Sequence, residues 1–316
     1  MAAPRPKFSL TAGGLTSDSA SSVAGPSRFV VQRSLDVPLD GLSVTLSESG
    51  GVAAGDPVQL KLGDEDAMED VFTGTVAEVT PRLGGCRLFC VGKMLELIEL
   101  RVSSFYRDQT AGAVVRDLVG QTSLQQGDIA DGISLPRFSV ERRTSAHAQL
   151  RRLADRLGYA LFSDRAGKVH FRGLGPAAQL SAGGALGGAG AALAGAASAA
   201  LGQGEDKSFW LTATDSDFQG SSGDGPELLV SDPTARTKDM ADRFAAGYAA
   251  GLARRTGEVR LTVQGLPKLE LGDSSGATGT PEAGLSKPGY VKGLRHRFGV
   301  LEGFVTDIVV SVEGGA

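Results

Sequence analysis

Apolar and polar residues alternate through most of the first third of the chain. Runs with this period occupy Arg28–Arg33, Leu42–Ser47 and the segment 58–62. Side chains on a strand point to alternate faces, so a period of two indicates strands with one buried face. Several short strands at this close spacing predict a small antiparallel barrel or sandwich.

The longest alternating run is Val71–Thr80, followed by a Pro- and Gly-containing turn at 81–85 and a second strand at Cys86–Val91. These features predict a β-hairpin. One face of its first strand is expected to carry Val71, Thr73, Thr75, Ala77 and Val79. The acidic segment 63–70 before it lacks the Gly and Glu that an EF-hand calcium loop needs at fixed positions, so it is predicted to be a solvated hairpin tip.

The period changes in the stretch Leu95–Arg172, which holds the clearest helix signals in the chain. Thr110 is suited to cap a helix that ends near Gly120, and a second helix is predicted from Thr144 or Ser145 to Gly158. Apolar residues recur at helical spacing in both: Val114, Val115, Leu118 and Val119, then Leu150, Leu153, Ala154 and Leu157.

A hairpin is predicted directly after these helices. Its strands are Tyr159–Ser163 and the run that contains Val169 and Phe171, with a turn at 164–167. The whole stretch is therefore expected to be a compact α/β domain between two β-rich parts.

A segment rich in Ala and Gly follows at 176–207. It offers too few large apolar side chains to build a core, so it is predicted to be a linker or an insertion rather than a membrane span. A third helix is predicted at 233–255, with Asp232 as its N-cap and Pro233 at its first position. Its buried stripe is expected to contain Met240, Phe244, Tyr248 and Leu252.

The β pattern resumes after Gly257 and ends in a hairpin that turns at Gly299–Gly303. The sequence thus predicts an α+β protein with four segments. They are a first antiparallel β-barrel domain at 1–95, an α/β connecting domain at 96–175, the Ala/Gly linker at 176–207, and a second β-barrel domain at 208–316 that includes the long helix.

Charge and composition exclude several classes of function. The net charge is −4, and no run of basic residues resembles a phosphate-binding track, which argues against a nucleic-acid binder. The two cysteines, Cys86 and Cys90, are predicted to lie on one strand, about 13 Å apart and too far for a disulfide. No nucleotide-binding loop is present, and the three histidines are too scattered for a metal centre, so no cofactor and no metal ligand is predicted.

The segment Gly272-Asp273-Ser274-Ser275-Gly276 matches the nucleophile pattern of α/β-hydrolases. That pattern works on a sharp turn between a strand and a helix, but no helix signal follows it here. His296 also precedes Asp307, which reverses the order that those enzymes use. A Gly/Ser loop between strands is the preferred interpretation, and no catalytic residue is assigned.

In element order the chain resembles the baseplate-hub family of contractile phage tails and related injection systems, which includes the late control protein D group and the hub part of VgrG proteins. The first half of the resemblance is carried by Phe72-Thr73-Gly74, Leu100-Arg101, Phe105, Gln109-Thr110, Leu150, Leu153-Ala154, Gly158-Tyr159 and Gly167 to Phe171. The second half is carried by Leu271-Gly272-Asp273, Gly289-Tyr290-Val291, His296 and Thr306.

The resemblance implies two tail-tube-like barrels per chain and a homotrimer that forms a ring of quasi-sixfold symmetry. Such a ring would join a hexameric tail tube to a trimeric spike, assembling in the cytoplasm and then forming part of a phage tail-like particle. The resemblance implies a structural protein without enzymatic activity, with the tube protein, a separate spike protein and other baseplate proteins as partners. A separate spike is expected because no spike-like segment follows the last hairpin. Two alternatives stay open: a hydrolase that uses Ser274, and a β-sandwich binding module.

Overall fold

One curled antiparallel sheet dominates the structure. The computed structural model describes residues 6–19, 26–64, 67–174, 209–212, 219–220, 228–231, 234–235, 237–253, 257–275, 289–299 and 303–312. In that part of the chain the strands of the sheet follow the order Glu258–Gln264, Gly303–Val312, Gly289–Gly299, Arg28–Ser34, Gly41–Leu46, Gly85–Gly92, Ala67–Arg82, Pro57–Asp64, Lys7–Ala12 and Leu15–Asp18, and Ser274–Ser275 pairs with Gly289–Gly299. The chain is mostly β with few helices, which agrees in part with the predicted α+β class.

The strands of this sheet come from both ends of the chain. They are β1 Lys7–Ala12, β2 Leu15–Asp18, β3 Arg28–Ser34, β4 Gly41–Leu46, β5 Pro57–Asp64, β6 Ala67–Arg82, β7 Gly85–Gly92, β16 Glu258–Gln264, β17 Ser274–Ser275, β18 Gly289–Gly299 and β19 Gly303–Val312. Cys86 and Cys90 both lie on β7 as buried free thiols, as predicted.

The pairing of β3 with β18 joins the two ends of the chain into one sheet. Its register runs from Arg28 beside Gly299 to Ser34 beside Gly293. The aromatic rings of Phe8, Phe29 and Phe298 meet under this seam, so residues of the last third complete the core of the first. The division into separate barrel domains at 1–95 and 208–316 stays a prediction, but the two parts share a sheet and a core.

The prediction that Val71, Thr73, Thr75, Ala77 and Val79 share one face of the first hairpin strand was wrong. Phe72 and Val76 point into the core, whereas Thr73 and Thr75 are only partly buried. The cause is two register shifts, one between Leu60 and Lys61 against β5 and one between Val76 and Glu78 against β7. A bulge adds one residue to one strand and reverses the side-chain alternation beyond it.

The central stretch forms the predicted helices and hairpin. Its elements are α1 Leu95–Glu99, β8 Ser104–Thr110, α2 Ala111–Gly120, β9 Gln126–Ile129, β10 Ser134–Val140, α3 Ala146–Leu157, β11 Tyr159–Ser163 and β12 Val169–Gly173. The hydroxyls of Thr110 and Ser145 accept hydrogen bonds from the third amide beyond them, at 3.1 Å each, so both predicted caps are confirmed. Gly158 ends α3 with a φ of 66°, a conformation that favours glycine.

The third helix begins later than predicted. It is α4 Lys238–Ala253, and the Thr237 hydroxyl accepts from the Met240 amide at 3.2 Å, which gives it a cap that the sequence analysis missed. The predicted cap, Asp232 and Pro233, lies outside the described residues. These two positions are six and five residues before the observed start at Lys238. Three short strands complete the fold: β13 Phe209–Thr212, β14 Gln219–Gly220 and β15 Leu228–Ser231.

Helix α4 packs into the core of the α/β part, although the sequence analysis grouped it with the second barrel. Met240 and Phe244 are buried in this core, where α4 contacts α3, as the predicted stripe required. Helices α4 and α3 come into close contact at Gly247 of α4. A Cβ atom at this position would overlap the carbonyl oxygen of Arg156 on α3. The Ala/Gly segment 176–207 lies outside the described residues. No helix of the described residues is long and apolar enough to cross a membrane.

Candidate functional site

The outward face of the large sheet carries a row of polar residues across its strands. One row of cross-strand neighbours on it runs from Thr262 to Asp307, Arg295 and Gln32, which lie on four adjacent strands. Thr262 and Arg297 both donate hydrogen bonds to the Asp307 carboxylate, at 2.9 and 3.0 Å. Desolvation acts to raise the pKa of Asp307, but these hydrogen bonds outweigh it and lower the pKa. The carboxylate therefore stays ionised and orders the face.

The same surface continues across the first third of the chain. Arg87 donates to the Ser43 hydroxyl at 2.8 Å across the β4–β7 pair, and Phe89 beside Ser43 is 46% exposed. A sheet face this wide and polar is suited to contact water or another protein. One buried hydrophobic core lies beneath the strands from the first third of the chain. A second core lies beneath β16, β18 and β19.

The sheet has two open edges in the part of the chain that the structure describes. They are β2 at one end and β16 at the other, and β2 and β16 each pair with one strand only. Along β16 the polar residues are exposed, and Val259, Leu261 and Val263 are only half-buried. Unpaired backbone groups on an edge strand can pair with another chain, so both edges are candidate assembly surfaces.

A buried ion network ties these surfaces to the α/β part. Arg33 on β3 is 2% exposed. Its guanidinium contacts the Asp40 carboxylate at 3.3 Å and the Glu270 carboxylate at 2.9 Å, and it donates to the Ser163 carbonyl at 2.7 Å. The Ser163 hydroxyl in turn donates to Asp40 at 2.9 Å. One side chain thus holds three segments that are far apart in sequence.

Burial and charge compete in this network. Burial acts to lower the pKa of Arg33, but the carboxylates of Asp40 and Glu270 outweigh it and raise that pKa, so the guanidinium stays charged. Burial raises the pKa of Asp40 despite the favourable charge of Arg33. A buried charge left without its partner is strongly destabilising, so the network makes the relative position of the three segments specific.

Arg165 extends the network to the surface. It lies in the β11–β12 turn and contacts Glu270 at 3.2 Å, Glu69 at 3.5 Å and the Pro267 carbonyl at 3.1 Å. The turn of the α/β part is thereby fastened to the β5–β6 hairpin and to the segment that leads into β17. The sequence analysis missed this network. The sequence feature that could have indicated it is Arg33. This charged residue continues the alternating buried positions of Phe29 and Val31 on β3.

The structure separates the residues that a hydrolase would need. Ser274 lies in β17 and pairs with Tyr290, six residues along β18 from His296. At about 3.3 Å per residue this places His296 about 20 Å from Ser274. His296 instead bonds to the Thr306 hydroxyl at 2.9 Å within the core.

The other two histidines are also engaged in structure. His170 accepts from the Asp128 amide at 3.0 Å and lies 3.3 Å from the Asp164 carboxylate, so both ring nitrogens have partners. His147 is buried on α3, and burial lowers its pKa to about 4. Among the described residues no three His, Cys, Asp or Glu side chains come together as a metal site.

Comparison with solved structures identifies the fold. No protein-family model matches the sequence, and no curated protein matches it significantly. The 43 kDa tail protein of prophage MuSo2 from Shewanella oneidensis matches 96% of this chain and 98% of its own, with a TM-score of 0.66 and 14% identity. A tail protein from Neisseria meningitidis MC58 matches 97% of this chain and 96% of its own, with a TM-score of 0.62 and 12% identity.

A type VI secretion component also has this fold. The Escherichia coli c3393 protein, described as similar in structure to bacteriophage T4 tail proteins, matches 96% of this chain and 76% of its own, with a TM-score of 0.56 and 11% identity. The expectation of a phage tail type of protein is therefore confirmed at the level of the fold. The chain has the fold of phage tail proteins and of a related type VI secretion component.

Proposed function

We propose that the chain is the structural baseplate hub of a contractile phage tail or injection system. Three copies form a ring of quasi-sixfold symmetry in which each chain supplies two barrel-like units. The ring joins a hexameric tail tube on one side to a trimeric spike on the other. The proposed role is binding and symmetry matching rather than catalysis.

The continuous sheet is the observation that supports this proposal most strongly. The β3–β18 seam makes the two β-rich ends of the chain one rigid curved surface with a polar face and two open edges. A closed ring of identical chains can cover such edges at every contact. The polar row through Thr262, Asp307 and Arg295 is suited to line a water-filled channel.

The buried network supports the same role. A ring that adapts one symmetry to another needs its units held at a fixed angle. Arg33 on the seam strand β3 contacts Ser163 of the α/β part and Glu270 of the segment before β17, with Asp40 beside it. The α/β part then acts as a brace, and the contacts with partners lie on the sheet.

Reconstitution with the neighbouring components tests the proposal. The purified chain is mixed with a tail-tube protein and a spike protein of the same genome, and complexes are separated by size-exclusion chromatography. The proposal predicts a complex with both, with threefold symmetry in electron micrographs. Binding to neither protein would contradict it.

A further inference from the structure

The small sheet of β8 and β10 has an exposed surface that the proposed ring does not account for. Its register places Phe105 opposite Ser139 and Arg107 opposite Arg137, and all four residues are exposed. Directly opposed residues of an antiparallel pair share one face. These four residues, which we call the arginine face, therefore form one outward surface.

The two arginines are an unfavourable pair in the isolated chain. Like charges that are directly opposite on neighbouring strands repel each other. In the described residues neither Arg107 nor Arg137 takes part in a salt bridge or a hydrogen bond, and the carboxylate next in sequence, Asp108, pairs with neither. By contrast Arg116 and Arg151 each have an acidic partner. An anion placed between the two guanidinium groups would remove the repulsion.

An aromatic ring stands beside the two charges. Phe105 is 54% exposed, and the Arg107 guanidinium carbon lies 5.3 Å from the centre of its ring. This cation–π contact orders Arg107 and leaves part of the ring open to solvent. Aromatic residues and arginine are the types enriched at the centres of protein interfaces.

We propose that the arginine face docks an extended acidic segment of another protein. A carboxylate of the segment lies between Arg107 and Arg137. Each guanidinium group can donate two hydrogen bonds to its oxygens. An apolar side chain two residues away packs on Phe105, because side chains at i and i+2 of a strand are about 7 Å apart on one face.

Charge complementarity favours an acidic protein segment over a nucleic acid. A single-stranded nucleic acid is usually held by several aromatic rings in series along a basic groove. The arginine face has one ring, and the chain as a whole carries a net charge of −4.

Binding of designed peptides tests the proposal. The probe is a fluorescein-labelled nine-residue peptide in which every second residue is Glu or Leu in turn and the residues between them are Thr. Its control has Gln in place of each Glu. Fluorescence anisotropy with the full chain at about 150 mM salt is expected to show saturable binding of the Glu peptide only. The double variant Arg107→Gln/Arg137→Gln is expected to bind it about tenfold more weakly. Arg152→Gln on α3 is the matched control and is expected to bind like the native chain.

Three results would overturn the proposal. They are equal binding of the Glu and Gln peptides, unchanged binding by the double variant, and absence of saturable binding to the native chain. A thymidine oligonucleotide that binds more tightly than the Glu peptide and displaces it would also overturn it, in favour of a nucleic-acid site. Thermal unfolding of each variant verifies that the fold is intact, which is expected because both arginines are exposed.

Discussion

Phe298 lies directly opposite Phe29 across the β3–β18 seam, and the centres of their rings are 5.7 Å apart. These residues are separated by most of the chain, yet both are buried in the same core. The first and last thirds therefore depend on each other for stability.

Replacing Phe298 by Ala is expected to destabilise the chain by about 3–5 kcal/mol, since it leaves a cavity beside Phe29 and Phe8. Phe89→Ala, at the exposed outward face, is the matched control and is expected to cost less than about 1 kcal/mol. Urea unfolding followed by circular dichroism measures both. Two separate transitions, with only one of them shifted by Phe298→Ala, would argue against a shared core.

The buried network predicts that Arg33 and Asp40 are strongly coupled. Arg33→Leu leaves the buried Asp40 carboxylate without its cation and removes one of the two cations beside Glu270, so it is expected to cost about 3–5 kcal/mol. Arg33→Leu combined with Asp40→Leu and Glu270→Leu removes the buried charges together and is expected to cost less than the single change. A triple variant less stable than Arg33→Leu would mean that the ion network is itself the main source of stability.

The approach of α4 to α3 predicts opposite effects at two glycines. Gly247→Ala brings a methyl group against the Arg156 carbonyl and forces the helices apart, so it is expected to destabilise the chain. Gly251→Ala lies in the same helix with open space around it and is expected to stabilise by up to about 1 kcal/mol, because Ala favours helix more than Gly. Equal effects at the two positions in a urea titration would refute this packing.

Two buried histidines predict a loss of stability in mild acid. Burial lowers the pKa of His147 and of His296 from 6.5 to about 4. The unfolded chain therefore binds more protons between pH 6.5 and 4, and stability is expected to fall as the pH drops through this window, by up to about 3 kcal/mol per histidine.

His147→Leu isolates one of these contributions. The Nε2 atom of His147 is buried without a hydrogen-bond partner, so an apolar residue is expected to be tolerated there. The variant should lose less stability than the native chain between pH 6.5 and 4, as measured by the urea midpoint at each pH. An unchanged slope would mean that His147 is not held neutral by burial.

Local signals predicted the central stretch well. Thr110, Ser145 and Gly158 mark helix ends through short-range hydrogen bonds and backbone conformation, which depend on nearby residues only. The start of α4 was missed because Asp232 and Pro233 form a stronger signal in sequence than Thr237, which caps the helix.

Long-range features could not be read from such signals. The bulges of β6 depend on its pairing with β5 and β7, so the alternation of Val71, Thr73 and Thr75 was misleading. The β3–β18 seam and the Arg33 network join residues more than two hundred positions apart. No periodicity in either segment indicates its partner.

The mass of the purified chain in solution tests the central claim most directly. Multi-angle light scattering, with electron micrographs of the same fraction, distinguishes a trimer from a monomer of 32.4 kDa. The proposal predicts three times the chain mass and a ring of threefold symmetry with six similar lobes. A stable monomer at micromolar concentration that stays monomeric with its tube and spike proteins would contradict it.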